Sequence, residues 1–183
     1  MTRPFEGIRI IDVTHVLAGP FAAYQLAVLG AEVIKVEHPD DPDQTRDSGT
    51  DRGLNRRGMG TSYLTQNSNK RSITLDLKTE AGCEILKRLV QRADVIVENY
   101  RPGAFSDLGL GYEVMSGINP RLIYCSISAF GQDGPRGTQT AYDHVIHYRM
   151  AEFLGQRREL RHLLQGSAAT KISQIQALPT MPN

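Results

Sequence analysis

Short β-branched runs alternate with stretches of helical spacing along most of the chain. Ile8-Arg-Ile-Ile-Asp-Val13 reads as a buried strand. Ala18-Gly-Pro20 follows, and Pro at a first helical position after Gly predicts a helix over Phe21 to Leu29. Gly30 predicts its stop. Glu32-Val-Ile-Lys-Val-Glu37 reads as a second strand. Strand, helix and strand within about thirty residues predict a parallel βαβ unit.

His38 to Asn67 is polar and rich in Asp, Arg and Gly, and reads as a long loop. Loops of that length inside a domain are uncommon and often functional. Ser72-Ile-Thr-Leu-Asp76 is strand-like. Thr79 to Ala93 carries Ile85, Leu86, Leu89 and Val90 at helical spacing, with Thr79 as the N-cap. Asp94 to Glu98 is another strand. Pro102 and Gly103 break the chain, and short helices are expected around Ala104 and Tyr112. Leu122 to Ile127 is the next strand, and Gly131 to Thr140 is a Gly/Pro loop. The alternation predicts an α/β fold: a Rossmann-like, mostly parallel sheet with helices on both faces. From Tyr148 onward no further strand–helix unit appears. Arg149 to Gln165 reads as a basic helix, and residues 167–183 show no period and read as irregular.

Composition narrows the class. Of 183 residues, 40% are hydrophobic and 22% charged, which excludes a disordered or fibrous chain. A formal net charge of +1 gives no argument for nucleic acid or an acidic membrane as partner. Cys83 and Cys125 are too few for a disulfide framework and match no zinc spacing. Met1 to Gly7 holds Arg3, Pro4 and Glu6 and lacks the apolar run of a signal peptide. No stretch approaches the roughly 18 apolar residues of a membrane span. The expectation is a soluble, cytoplasmic protein with no metal.

The first turn, Thr14-His-Val-Leu-Ala-Gly-Pro20, lacks the G-x-G-x-x-G dinucleotide fingerprint. P-loop, His-Glu-x-x-His and Gly-x-Ser-x-Gly motifs are absent too. The helix after this turn offers N–H groups and a positive dipole end to an anion; a tight strand-to-helix connection is the plainer reading. Asp12, at a strand end, reads as a loop-bracing carboxylate, and His15 as a structural histidine. Lys70 and Arg71 read as solvated surface or, more sharply, as phosphate contacts. Glu98-Asn-Tyr-Arg-Pro-Gly103 offers an amide, an aromatic face and a guanidinium, suited to a nucleotide or simply to a turn. Gly109-x-Gly111 reads as a turn.

Taken together, the segments resemble the class III CoA-transferases, the CaiB/BaiF-type family. The pieces are Gly7-Ile-Arg-Ile-Ile-Asp-Val-Thr, Leu17-Ala-Gly-Pro, Leu29-Gly-Ala-Glu-Val-Ile-Lys-Val-Glu and Asn69-Lys-Arg-Ser-Ile-Thr-Leu-Asp. They continue with Ala93-Asp-Val-Ile-Val-Glu-Asn-Tyr-Arg-Pro-Gly, Asn119-Pro-Arg-Leu-Ile-Tyr-Cys-Ser-Ile-Ser, Gly131-Gln-x-Gly-Pro and Ala141-Tyr-Asp-His-Val. Their order and spacing are the family's, over about Arg3 to His147. The resemblance implies that residues 1–147 are the N-terminal part of a CoA-binding domain and 148–183 a divergent tail. It implies coenzyme A, as acyl-CoA, and a small carboxylic acid as substrates. By position, the residues implied to hold CoA are Leu17, Ala18, His38, Leu75, Asp76, Leu77, Lys78, Asn99, Tyr100 and Arg101. His38 stands where many relatives carry Arg, and Asp107 where some do.

The implied chemistry is acyl transfer through an aspartyl anhydride and an enzyme thioester. The family's nucleophilic Asp lies beyond the Ala-Tyr-Asp segment, and this sequence has no Asp after Asp143. The later carboxylates, Glu152 and Glu159, do not match. No catalytic residue is therefore assigned. A truncated, non-catalytic CoA-binding fragment is the alternative. A racemase of the α-methylacyl-CoA type is a second alternative, against which Tyr142 stands where racemases have His. Family members form interlocked homodimers. This chain is expected not to interlock, and to leave sheet edges or apolar surface exposed.

Overall fold

The computed structural model describes residues 3–139. Tyr142, Asp143 and the whole tail from Tyr148 lie outside the described residues. Among those described, the β-branched runs become five parallel strands. They are β1 (Arg9–Asp12), β2 (Glu32–Glu37), β3 (Arg71–Thr74), β4 (Val95–Glu98) and β5 (Ile123–Ser126), in the spatial order β3-β2-β1-β4-β5. Register is set at the centre, where Ile11 lies beside Ile34 on one side and Ile96 on the other.

Alternation along β1 sends its side chains to opposite faces. Ile10 packs with Val33, Val97 and the alanines 23, 27 and 31 against helix α1 (Ala18–Val28). Ile11 packs with Ile96, Leu86, Val90, Leu110 and Met115 against α4 (Glu80–Val90) and α6 (Tyr112–Ile118). Burying each of these large side chains is worth about 1.5–3 kcal/mol. Helices cover both faces, as the pattern predicts.

The α4 helix starts where Thr79 caps it, its Oγ1 accepting from Gly82 N at 3.1 Å. Glu80 in its first turn and Lys87 and Arg88 in its last complement the helix dipole. Gly30 ends the α1 region at φ 112, a conformation that favours glycine.

Two expectations need correction. The α1 helix begins at Ala18, so Pro20 is its third residue rather than its first. The first N–H groups of a helix need no intrahelical partner, so proline fits there equally well. The stretch His38 to Asn67 is not a structureless loop. It holds a 3₁₀ turn (Gln44–Asp47), α2 (Arg52–Asn55) and α3 (Thr61–Asn67). Asp43 and Asp51 cap the first two, supplying locally what hydrophobic periodicity does not. The short helix α5 (Ala104–Asp107) lies between β4 and α6. No helix among the described residues is long and apolar enough to cross a membrane.

Candidate CoA site at the sheet's carboxyl edge

Chain order reverses between β1 and β4. In open parallel sheets a ligand crevice forms outside the strand ends at that point. The two segments that flank it are Thr14–Leu17 after β1 and Asn99–Gly103 after β4.

The Thr14–Val16 turn is held by side chains from four parts of the chain. Asp12 Oδ1 accepts from Thr14 N at 3.0 Å and from the Thr14 hydroxyl. Lys35 Nζ donates to the Thr14 carbonyl. Asn99 Oδ1 accepts from His15 N at 2.9 Å, and Asn99 Nδ2 donates to the His15 carbonyl at 2.8 Å. Asp43 Oδ2 accepts from Val16 N at 3.0 Å. Val16 itself sits at φ 71. A β-branched residue in the left-handed region is a true outlier, costing about 1–3 kcal/mol. Gly19 packs so closely that a Cβ there would come within 2.3 Å of the Thr14 side chain. No side chain caps the start of α1, and its first turn carries no acidic residue.

Beneath the turn lies a buried ionic layer. Lys70 Nζ, 1% exposed, donates to Asp12 Oδ2, the Pro20 carbonyl and Asn67 Oδ1, each at 2.8 Å. All three of its donors are used, so Lys70 is neither solvated surface nor a phosphate ligand. Arg71, beside it, is exposed and pairs with Glu32 at 3.2 Å. Lys35 and Asp43, both fully buried, pair at 3.5 Å. Glu37 accepts from Arg46 Nε at 2.9 Å and Nη2 at 2.6 Å, and from the Tyr63 hydroxyl at 3.0 Å. The Arg46 guanidinium also lies 3.8 Å from the Tyr63 ring centre. Three cations (Lys35, Arg46, Lys70) thus match three carboxylates (Asp12, Glu37, Asp43).

Burial alone raises the pKa of a carboxyl. At Glu37 the Arg46 hydrogen bonds, the Asp43 N–H and the Arg46 charge outweigh it, and the carboxyl sits at about 2 against an ordinary 4.5. Asp43 is held down by its Thr45 bonds and the Lys35 charge, again against burial. Glu98, at the end of β4, goes the other way: burial raises it, and bonds from Ser126 and Tyr100 N only partly compensate. Burial, then the Lys35 charge, lowers His15.

The residues implied to hold CoA fall along one edge. Leu17 and Ala18 are exposed at the start of α1. His38 and Asp76, at the ends of β2 and β3, come together at 3.3 Å. His38 Nδ1 accepts from Asp40 N and Asp41 N at 3.1 Å, so the ring proton lies on Nε2, facing Asp76. Leu75 and Leu77 have their side chains in the core, leaving only backbone for a ligand. Lys78 and Arg101 are exposed. Asn99 spends its amide on His15. Tyr100 is half-buried between His15, edge-on at 5.7 Å, and Phe105 at 5.2 Å. The amide and the phenol ring of the Asn99–Arg101 cluster are therefore committed to the turn, and the guanidinium is the group it presents to solvent. From β3 to β4 this row crosses three strand spacings, about 14 Å. An extended ligand suits that span better than a compact one.

Sequence reading missed Lys35, Asp43 and Val16. One signal was present: Lys35 lies inside a β-branched run whose neighbours are buried, where a lysine needs a buried partner. Nothing marks Val16, whose N–H bonds to Asp43, 27 residues away.

The model of CoA-transferase family III matches residues 5–154. A succinate–glutarate CoA-transferase of Agrobacterium fabrum is 45% identical over 146 residues, 78% of this chain and 36% of that protein. A formyl-CoA:oxalate CoA-transferase of Streptomyces avermitilis is 49% identical over 146 residues, 79% of this chain and 34% of that protein. The chain thus spans about a third of the length of these curated relatives. The crystal structure of a CaiB/BaiF family protein from Brucella suis matches at TM-score 0.73 and 38% identity, over 82% of this chain and 40% of that one. By sequence match and by fold together, the chain belongs to CoA-transferase family III.

Proposed function

We propose that this chain carries the CoA-binding part of an enzyme that moves CoA from an acyl-CoA thioester to a small carboxylic acid. The observation that carries the reading is the reversal of chain order between β1 and β4, the point at which open parallel sheets take their ligands. The Thr14–Leu17 turn and the uncapped start of α1 follow β1 there, and Arg101, exposed, follows β4. Backbone donors and a guanidinium suit phosphate or a thioester oxygen. Coenzyme A enters as substrate, and no step here calls for a metal. The names of the relatives, with succinate, glutarate and oxalate, point to a small dicarboxylic acid as acceptor.

Residues 1–147 form the N-terminal part of the CoA-binding domain in this reading, and 148–183 a divergent tail. The sequence carries no Asp after Asp143, and in this reading these 183 residues by themselves bind CoA without transferring it. Interlocked homodimers and a cytoplasmic setting belong to the whole enzyme. Tyr142 favours transfer over racemisation.

Calorimetry of the purified chain with CoA tests the reading, with succinyl-CoA plus glutarate or oxalate as the activity arm. Binding that weakens with salt and with Arg101→Ala is expected, with no transfer. Absence of binding would sink the CoA assignment. Measurable transfer would sink the non-catalytic one, and α-proton exchange without transfer would favour a racemase.

A further inference from the structure

We infer that Asp43, braced by Lys35, is a positioning residue that holds Val16 left-handed and so sets Leu17 and Ala18 toward the proposed CoA site. The ligand in this inference rests on the proposed CoA site; the mechanical coupling does not.

Asp43 is buried, and both of its oxygens are used. Oδ1 accepts from Thr45 N at 3.0 Å and from Thr45 Oγ1 at 2.7 Å. Oδ2 accepts from Val16 N at 3.0 Å and faces Lys35 Nζ at 3.5 Å. The same Lys35 Nζ donates to the Thr14 carbonyl, two residues before Val16. One buried ion pair thus grips the turn at both ends, on the peptide groups either side of His15. Immediately after the grip on the Val16 N–H the backbone turns at φ 71, and two residues later α1 begins uncapped. A valine does not hold that conformation unaided, because its Cβ branches crowd the backbone there. The direction in which Leu17 and Ala18 face the crevice therefore depends on a carboxylate that does not touch the crevice itself.

Asparagine at 43 has a single acceptor oxygen and cannot serve both Thr45 and Val16. Asp43→Asn is expected to weaken CoA binding about tenfold to a hundredfold, the worth of one or two misplaced hydrogen bonds. Glycine adopts positive φ freely, so Val16→Gly needs no brace, and its own affinity sets the baseline for the pair. The decisive chain is the double variant. If Asp43 acts through Val16, Val16→Gly restores most of the affinity lost in Asp43→Asn. Additive losses would overturn the proposal, since a merely structural role for Asp43 would not be rescued at residue 16.

Amide exchange at Val16 gives a readout without ligand. Asp43→Asn should speed exchange there at least about tenfold relative to the Ile11 amide. Unchanged exchange overturns the proposal whether or not CoA binds, and absent binding by the parent chain counts against the CoA site alone. If Asp43→Asn does not fold, the double variant must regain cooperative unfolding; a double variant equally unfolded overturns the proposal.

Discussion

The side-chain amide of Asn99 bonds both backbone groups of His15, accepting from its N–H at 2.9 Å and donating to its carbonyl at 2.8 Å. It imitates one rung of a β-ladder beyond the point where β1 and β4 stop pairing. The crevice mouth is thereby fixed by a side chain.

Asn99→Ala leaves both His15 groups without this partner. It should destabilise the chain by about 1–3 kcal/mol in urea unfolding. Asn99→Asp keeps only the acceptor and should fall between. A variant as stable as the parent would show that water replaces the amide at no cost.

Lys70→Met strands the buried Asp12 carboxylate. The expected loss is about 3–5 kcal/mol, the usual result of removing one partner of a buried pair. Adding Asp12→Asn should return part of that stability, because the uncompensated charge goes with it. Equal stabilities of the single and double variants would contradict the pairing.

Acid sensitivity should trace to Glu37. Its folded value, about 2, lies below the ordinary 4.5 of the unfolded chain. The stability it contributes is complete above 4.5 and is lost as pH falls towards 2. The linked free energy is on the order of 3 kcal/mol. Asp43 is shifted in the same direction and adds to the loss, whereas Glu98 is raised and opposes it. Thermal melts against pH should show a flatter acid limb for Glu37→Gln than for the parent; parallel limbs would reject the assignment.

Gly19→Ala tests the close approach to Thr14. A Cβ within 2.3 Å of that side chain must push the turn and helix apart. A cost of about 1–3 kcal/mol is expected, typical of overpacking. Unchanged stability would mean that α1 slides freely on its turn.

Leu17, just before α1, and Phe21 and Val28 on it follow one another at helical spacing and are 47%, 50% and 46% exposed. At the far edge of the sheet, Ile123 on β5 is 63% exposed. Such apolar surface favours self-association of the purified chain. Light scattering should show it, and Phe21→Ser with Val28→Lys should reduce it without lowering the unfolding midpoint. A monodisperse monomer for the parent would contradict the expectation.

Fold and site were legible to different depths. Runs such as Ile8 to Val13 and Glu32 to Glu37 carry their strand identity in β-branched residues, and Thr79 announces α4 by its cap. Asp12 was readable as a brace because its partner Thr14 is two residues away. The helices within 44–67 were not readable, because turn capping rather than apolar period makes them. Lys35 and Lys70 obey the surface rule for lysine until their carboxylates are located in space. The conformation of Val16 belongs to no local pattern at all.

Lys70 ties β1, the first turn of α1 and the end of α3 through one nitrogen, across separations of 58, 50 and 3 residues. Two of those three bonds close large loops, so the ammonium can satisfy them only after β3 has docked. Asp12 remains an unpaired carboxylate until then. The walls of the crevice should therefore consolidate late in folding, after the βαβ unit has formed. Order at the crevice becomes a report on completion of the β2–β3 side of the sheet, and local loosening of β3 should be felt at residue 12 before it is felt at Ile96.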